Sequence, residues 1–178
     1  MPRSLADGHK KIAVLTEKPV NPAAPTAAEL AAGIGGAAGA GCRILLSDWV
    51  FGPTDSDTFN DRAVCEEGNS PEFGASNYQA GMTVFRYFDE IDGTPDAVED
   101  ALFDAVKVKG TTLWIYERET GQPESEPWTT ADDIWFGAEV RSDNPQRPGD
   151  AGGYVKRRIP LQVKKGYPGI TVGPVVTP

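Results

Sequence analysis

The stretch DIWFGAEVR, Asp133–Arg141, decides the fold class of this chain. Apolar side chains take alternate positions in it: Ile134, Phe136, Ala138 and Val140. A period of two is typical of a β-strand with one face against a core. The stretch therefore predicts a strand whose polar residues, Asp133, Glu139 and Arg141, face outward.

Further strand-like stretches lie on both sides of this one. On the C-terminal side, residues 154–163 (YVKRRIPLQV) alternate again, and Pro160 within them favours an edge position or a bulge. On the N-terminal side, four stretches predict strands: residues 10–16, 43–47, 79–89 and 111–118. The 20 glycines and 15 prolines predict many turns between these strands.

Two stretches predict helices. Thr26 and Glu29 form the capping-box pattern T-x-x-E at the start of a short helix. Thr94 followed by Pro95 predicts the start of a longer helix, which continues to Val106 along an apolar stripe. We therefore expect a mainly β chain with one flanking α-helix, arranged as a β-sandwich or barrel.

The length of 178 residues suits one domain over residues 1–178. Within it we expect an N-terminal arm over residues 1–42, a long polar loop over 51–78 and a C-terminal segment over 164–178. A loop of that length is uncommon inside a compact domain and often serves binding or assembly.

Charge is distributed unevenly along the chain. The net charge is −9, so the average field of the protein repels nucleic acid. Residues 48–143 hold 22 acidic and 6 basic residues, a net of −16, and the rest of the chain carries +7. Segments of opposite sign favour contact between identical copies, although solvated surface charge also clusters by chance.

The cysteines and the apolar runs exclude several classes of protein. Cys42 and Cys65 are too few for a disulfide framework, and both are expected to be free thiols in a reducing cytosol, Cys42 as a small buried residue. No apolar run approaches the roughly 18 residues of a membrane span. The N-terminus lacks the apolar core of a secretory signal.

The sequence predicts no catalytic residue, no cofactor and no metal site. His9 is the sole histidine and lies near the N-terminus, so neither a catalytic triad nor a common zinc pattern can be completed. Four acids between Asp55 and Glu66 match calcium-loop positions, but Phe59 and Asn60 stand where that loop needs a ligand and a glycine. A solvated acidic loop is the preferred interpretation, and cation binding there stays open.

The N-terminal sequence carries a family resemblance. The stretch SLADGHKKIAVLTEKP, residues 4–19, followed by NPAAPTAAEL, residues 21–30, resembles the start of tail tube proteins, also called major tail proteins, of long non-contractile-tailed phages of actinobacteria. The later order of strands and helix is similar too. The resemblance implies a β-sandwich or barrel flanked by a helix, six-subunit rings stacked into a tube, and passage of double-stranded DNA during ejection.

The same resemblance implies partners and a location. The chain would assemble with itself and, at the tube ends, with tape measure, distal tail and terminator proteins. It would be made in the host cytoplasm and act in the virion tail. The long loop and the terminal segments would tie adjacent rings together.

Two sets of charged residues are candidates for this role. An acidic channel would repel DNA, and the candidate lumen-facing acids are Glu117, Glu119, Asp133 and Glu139. Basic residues near the C-terminus would meet acids of the next copy, and these inter-subunit candidates are Lys156, Arg157, Arg158, Lys164 and Lys165.

Two other functions remain open on the sequence alone. A monomeric β-sandwich binding module, for virion decoration or carbohydrate binding, would expose Trp49 or Trp128 on a flat face, whereas Trp114 and Trp135 are expected in the core. A hydrolase with dispersed carboxylates would need a cleft and a carboxylate of raised pKa. A structural subunit that assembles with itself, and not an enzyme, is the preferred interpretation.

Overall fold

The computed structural model describes residues 8–61, 64–65, 67–68, 71–150 and 152–174. Within them lie the strands β1 Lys10–Leu15, β2 Val50–Thr54, β3 Thr58–Phe59, β4 Glu72–Phe73, β5 Asn77–Phe85, β6 Thr112–Glu119, β7 Asp133–Ser142 and β8 Lys156–Thr171. The same residues include two short helices, α1 Ala27–Ala31 and α2 Ala101–Val106. The prediction of a mainly β chain with flanking helix is confirmed.

Six of the strands form one antiparallel sheet in the order β1-β6-β7-β8-β5-β2, and β3 and β4 form a separate hairpin. Phe51 on the edge strand β2 packs against Phe136 on β7, with ring centroids 4.8 Å apart. Two strands lie between β2 and β7, so the sheet curls around its core.

The sheet has a core on each face at its β1–β6 side. Leu113 and Ile115 of β6 point into the larger core, which also contains the buried side chains of α2. Trp114 and Tyr116 point the other way, into a smaller core that is covered by Leu30 of α1. Burial on both faces explains the continuous apolar run LWIY, residues 113–116, within β6.

The short helix begins as predicted. The Glu29 N–H donates to Thr26 Oγ1 at 3.3 Å, and the Thr26 N–H donates back to Glu29 Oε2 at 2.8 Å. These two bonds are the capping box, and they orient α1 so that Leu30 is buried.

The longer helix begins later than predicted. Thr94 does not cap it, because its hydroxyl donates to Asp92 Oδ1 at 2.7 Å. Asp96 Oδ1 instead accepts from the N–H groups of Val98 and Glu99, at 2.8 Å each, and holds this stretch in turns. Regular α-helix runs only over Ala101–Val106.

Residues 43–47 are not a strand, so that prediction was wrong. Short 3₁₀ turns occupy Gly41–Arg43 and Leu46–Asp48, and Ile44 makes a single bridge to Val84 of β5. The Leu46 side chain is 65% exposed, so the apolar run does not mark a buried strand. The edge position beside β5 is taken by β2.

Strand β8 is longer and more central than predicted. It spans 16 residues between β7 and β5, so the predicted C-terminal segment begins inside it and Pro160 is not on an edge strand. The ladder with β7 ends at Ser142 opposite Leu161. The Pro160 carbonyl points to that side and accepts from the Asp143 N–H at 3.0 Å. Pro160 has no N–H to donate towards β7, but it lies just beyond the last pair of the β7–β8 ladder. None of the hydrogen bonds of that ladder is therefore lost.

Candidate assembly surfaces

One face of β5, β8 and the end of β7 is polar and exposed, and we call it the open face. On these strands Met82, Ile159 and Val140 point into the larger core, so alternate residues point the other way. The exposed side chains on this face are those of Gln79, Arg141, Arg158, Gln162, Lys164 and Lys165. Apart from its two chain neighbours, no atom of the described residues lies within 4 Å of where a Cβ atom at Gly81 would be, so the middle of the face is unobstructed.

All five predicted inter-subunit bases lie on β8. Three of them are exposed on the open face: Arg158, Lys164 and Lys165. The other two lie at the start of the strand, where Lys156 Nζ is 3.3 Å from Asp150 Oδ2 and Arg157 donates to the Lys156 carbonyl. The open face is therefore basic in a chain whose net charge is −9.

The predicted lumen-facing acids do not lie together. Glu119 and Asp133 line one depression of about 380 Å³. Glu139 lies on the open face instead, opposite Lys165 of β8. Glu117 is only 2% exposed, so its carboxylate does not reach the surface and cannot line a channel.

Glu117 joins β6 to β1 and to the segment before β2. Its Oε2 accepts from Trp49 Nε1 at 2.6 Å, and its Oε1 lies 3.5 Å from Lys10 Nζ. Burial raises the pKa of this carboxyl, and the bond from Trp49 and the Lys10 charge offset only part of that effect. A carboxylate of raised pKa is what the hydrolase alternative requires, but here both oxygens are already occupied by structural partners.

Replacing Glu117 by glutamine should reduce the pH dependence of stability. Because the folded-state pKa of Glu117 is raised, its contribution to stability is fully present below the unfolded value of 4.5. That contribution is lost as the pH rises through the folded-state pKa. The free energy of unfolding of the wild type, relative to Glu117→Gln, should therefore fall as urea denaturation is repeated from about pH 4 to about pH 7.

Glu119→Gln is the matched control, because that carboxylate lies two residues away on the same strand and is 38% exposed. The same pH dependence in both variants would contradict the assignment to Glu117.

Neither Trp49 nor Trp128, the tryptophans predicted for a binding platform, is exposed. Trp128 is buried, and Trp49 is partly buried with its N–H bonded to Glu117. Trp135, which was expected in the core, is 50% exposed. It alternates on β7 with Ile134 and Phe136, and since these are both buried, Trp135 points outward.

Arg118 holds the loop after β6 against the smaller core. Its Nη1 donates to the Pro127 carbonyl at 3.0 Å and to Asp132 Oδ2 at 2.9 Å. Its Nη2 donates to the carbonyls of Pro123 and Glu126, at 3.0 and 3.1 Å. The only trace of this role in the sequence is position, because Arg118 follows Trp114 and Tyr116 at alternate residues of one strand face.

A tight turn that we call the acidic turn, Asp89–Thr94, follows β5. Asp89 Oδ1 accepts from the Ile91 N–H at 2.7 Å, and Asp92 Oδ1 accepts from the Thr94 N–H at 2.9 Å. The Gly93 N–H donates to the Asp89 carbonyl at 3.0 Å. These bonds fix a turn whose Ile91 side chain is 96% exposed. This turn was not predicted from the sequence.

A buried ion pair anchors the acidic turn. Arg86 Nε lies 2.9 and 3.0 Å from the two Asp100 oxygens, and Arg86 Nη2 donates to Oδ2 at 2.8 Å. The Tyr87 N–H donates to Asp100 Oδ1 at 3.1 Å. The guanidinium also lies 3.8 Å from the centre of the Phe103 ring and 4.8 Å from that of Phe88. These contacts link the chain before the turn, at Arg86 and Tyr87, to the chain after it, at Asp100.

Among the residues that the structure describes, no group of three or more His, Cys, Asp or Glu side chains is placed to hold a metal ion. Glu66, the last acid of the candidate calcium loop, lies outside the described residues. Asp57 Oδ1 accepts from Asn77 Nδ2 at 2.9 Å, so this acid has a structural partner.

Both cysteines are exposed, and the prediction of a buried Cys42 was wrong. Cys42 lies in the 3₁₀ turn Gly41–Arg43 rather than in a strand, so its side chain does not alternate into the core. In the described ranges, no helix has the length and apolar character needed to cross a membrane.

Comparison with known proteins gives one match. The family model described as phage tail tube protein matches residues 1–174 of the chain. No curated protein and no solved structure gives a significant match.

Proposed function

The chain belongs to the phage tail tube protein family, and we propose that it forms hexameric rings that stack into a tube around a channel for double-stranded DNA. The family is structural, so the chain is a structural component of the virion tail that assembles with itself and with other tail proteins. At the tube ends we assign it contacts with tape measure, distal tail and terminator proteins. A phage of actinobacteria as its source stays a prediction.

The observation that carries this proposal is the separation of charge in the fold. The open face is basic, with Arg141, Arg158, Lys164 and Lys165 exposed, whereas the acidic turn and residues 55–61 carry exposed acids. When one chain carries surfaces of opposite charge, the basic surface of one copy can bind the acidic surface of the next. Such heterologous contacts close into rings or continue as helical assemblies.

For the channel, the proposal uses the two predicted acids that line one depression, Glu119 and Asp133. An acidic wall repels the DNA phosphates and keeps the DNA from adhering during passage. Glu117 is left out because it is buried, and Glu139 because it lies opposite Lys165 on the basic open face. A density map of an assembled tube that turned these two carboxylates away from the channel would refute the assignment.

Assembly should increase with protein concentration and weaken with salt. The three exposed β8 bases, Arg158, Lys164 and Lys165, are proposed to meet acids of neighbouring copies. Raising the ionic strength from about 0.1 M to about 1 M shortens the Debye length from roughly 10 Å to roughly 3 Å and screens exposed charges. Sedimentation velocity should then show large species whose share falls as salt rises. Assemblies that are indifferent to salt would count against these contacts.

A further inference from the structure

The acidic turn presents an apolar side chain that the single chain leaves in water. Ile91, at the tip of the turn, is 96% exposed. Phe88, just before the turn, and Val98, four residues after it, are exposed apolar side chains as well. Glu90, next to Ile91, is exposed as well. Because Asp89 and Asp92 already bind backbone N–H groups, the turn is formed before any contact. Little conformational entropy would be lost when it binds.

A depression of about 480 Å³ lies beside the open face at the end of β7, and we call it the basic depression. Its lining includes Lys109, Arg141, Pro160 and Gln162. Pro160 gives it an uncharged surface, and Gly81, opposite Pro160 on β5, adds no side chain.

Arg141 supplies the uncompensated charge of the basic depression. Asp143 also lines it, but this carboxylate lies 3.2 Å from Lys109 Nζ and is paired there. Arg141 is exposed, and no carboxylate of the described residues pairs with it. Arg158, two residues from Pro160, adds a second exposed cation on the same face.

We infer that the acidic turn of one copy docks in the basic depression of a neighbouring copy, with Ile91 against Pro160 and Glu90 beside Arg141. This inference rests on the proposed self-assembly and names the two surfaces that meet. Within a single copy the acidic turn does not occupy the basic depression, because Ile91 remains exposed to solvent.

The charges and the placement of apolar groups on the two surfaces together favour a second copy as the occupant. Copies with a net charge of −9 repel one another on average, so a stable contact needs local complementarity. The turn offers an apolar centre with acids around it, and the depression offers an uncharged floor with cations around it. An apolar centre within a polar rim is the usual layout of a protein interface. A DNA backbone would match the cations but has no projecting alkyl side chain like that of Ile91 to cover the floor.

Ile91→Asp tests the apolar centre. The concentration at which assembly begins should rise at least about tenfold, because a buried isoleucine would be replaced by a charge. Val20→Asp is the matched control, since Val20 is 83% exposed and belongs to neither surface. Thermal denaturation of both variants checks that they remain folded. Equal assembly of Ile91→Asp and wild type would overturn the inference.

A charge exchange tests the pairing itself. Glu90→Lys and Arg141→Glu should each raise the assembly concentration roughly tenfold, because each places like charges together. The double variant carries the same pair with its signs reversed and should assemble within about threefold of the wild type. A double variant that combines the two losses would overturn the pairing.

The outcomes separate this inference from the proposed function. If the wild type assembles and the two single variants assemble equally well, self-assembly stands and the docking inference fails. If Arg141→Glu assembles normally but binds duplex DNA in solution more weakly than the wild type, the occupant of the basic depression is DNA and the inference fails. If the wild type does not assemble under any condition, both fail.

Discussion

Replacing Arg118 by methionine should lower the free energy of unfolding by about 3–5 kcal/mol, the usual cost of breaking a buried ion pair by removing one partner. The Arg118 side chain is fully buried, and the Asp132 side chain that it binds is 8% exposed. Methionine would fill much of the space but would leave three loop carbonyls without their donor. It would also remove the positive charge beside the Asp132 carboxylate, which would keep its bonds from the Thr129 N–H and hydroxyl. The guanidinium also lies 5.2 Å from the Trp128 ring centre, and that contact would be lost too.

Urea denaturation at neutral pH measures this effect. Arg147→Met is the control, because Arg147 is exposed and its loss should change stability by no more than about 0.5 kcal/mol. Arg118→Lys should recover little, since an ammonium group cannot match the fork of donors that reaches four acceptors. An Arg118→Met protein within about 1 kcal/mol of the wild type would show that Arg118 does not hold the loop.

Replacing Asp100 by alanine should be comparably destabilising, again by about 3–5 kcal/mol. The Asp100 side chain is 1% exposed and that of Arg86 is 12% exposed. Without Asp100 the guanidinium would remain between Phe88 and Phe103 with no counter-charge, and the Tyr87 N–H would lose its acceptor. The acidic turn would lose its anchor at the same time.

Asp104→Ala is the matched control for Asp100. It removes another aspartate one turn along α2, but this carboxylate is 58% exposed and pairs with Lys107 on the surface. Such a surface pair contributes at most about 1 kcal/mol. Urea denaturation should therefore separate the two variants clearly, and equal stabilities would contradict the role of the buried pair. Asp100→Ala should also assemble less well than Asp104→Ala when both are folded.

Much of the sheet could be predicted because it depends on local periodicity. Residues 10–16, 111–118 and 133–141 show alternating or continuous apolar patterns, and each corresponds to a strand. The start of α1 was predictable for a similar reason, since the capping box involves residues only three apart. In such local patterns, the residues whose interactions produce the structure lie close together in the sequence.

The errors have a common origin in contacts between residues distant along the chain. Residues 43–47 look like a strand, but the edge position beside β5 belongs to β2. From the sequence, Glu117 is predicted to face outward, but in the fold the curl of the sheet places Trp49 against it. The helix predicted from Thr94 begins late in part because Asp100 binds Arg86, 14 residues earlier in the chain. Propensity alone contains none of this information.

The candidate assembly surfaces were predictable only in part. The five bases of β8 stand out in the sequence because they are dense in a strand-like stretch. The acidic turn was missed, although the run DEIDG places an isoleucine among turn-forming residues, where an apolar side chain has no core to enter. The basic depression joins residues of the α2–β6 loop, β7 and β8, and only the folded chain brings them together.

Electron microscopy of the purified full-length protein at rising concentration tests the central claim most directly. The account predicts rings or stacked tubes, with sixfold symmetry and a central channel wide enough for a DNA duplex, that become scarcer as salt is raised. A protein that stays monomeric across the whole concentration range at low salt, and also in the presence of preformed tail ends that could initiate a tube, would contradict it.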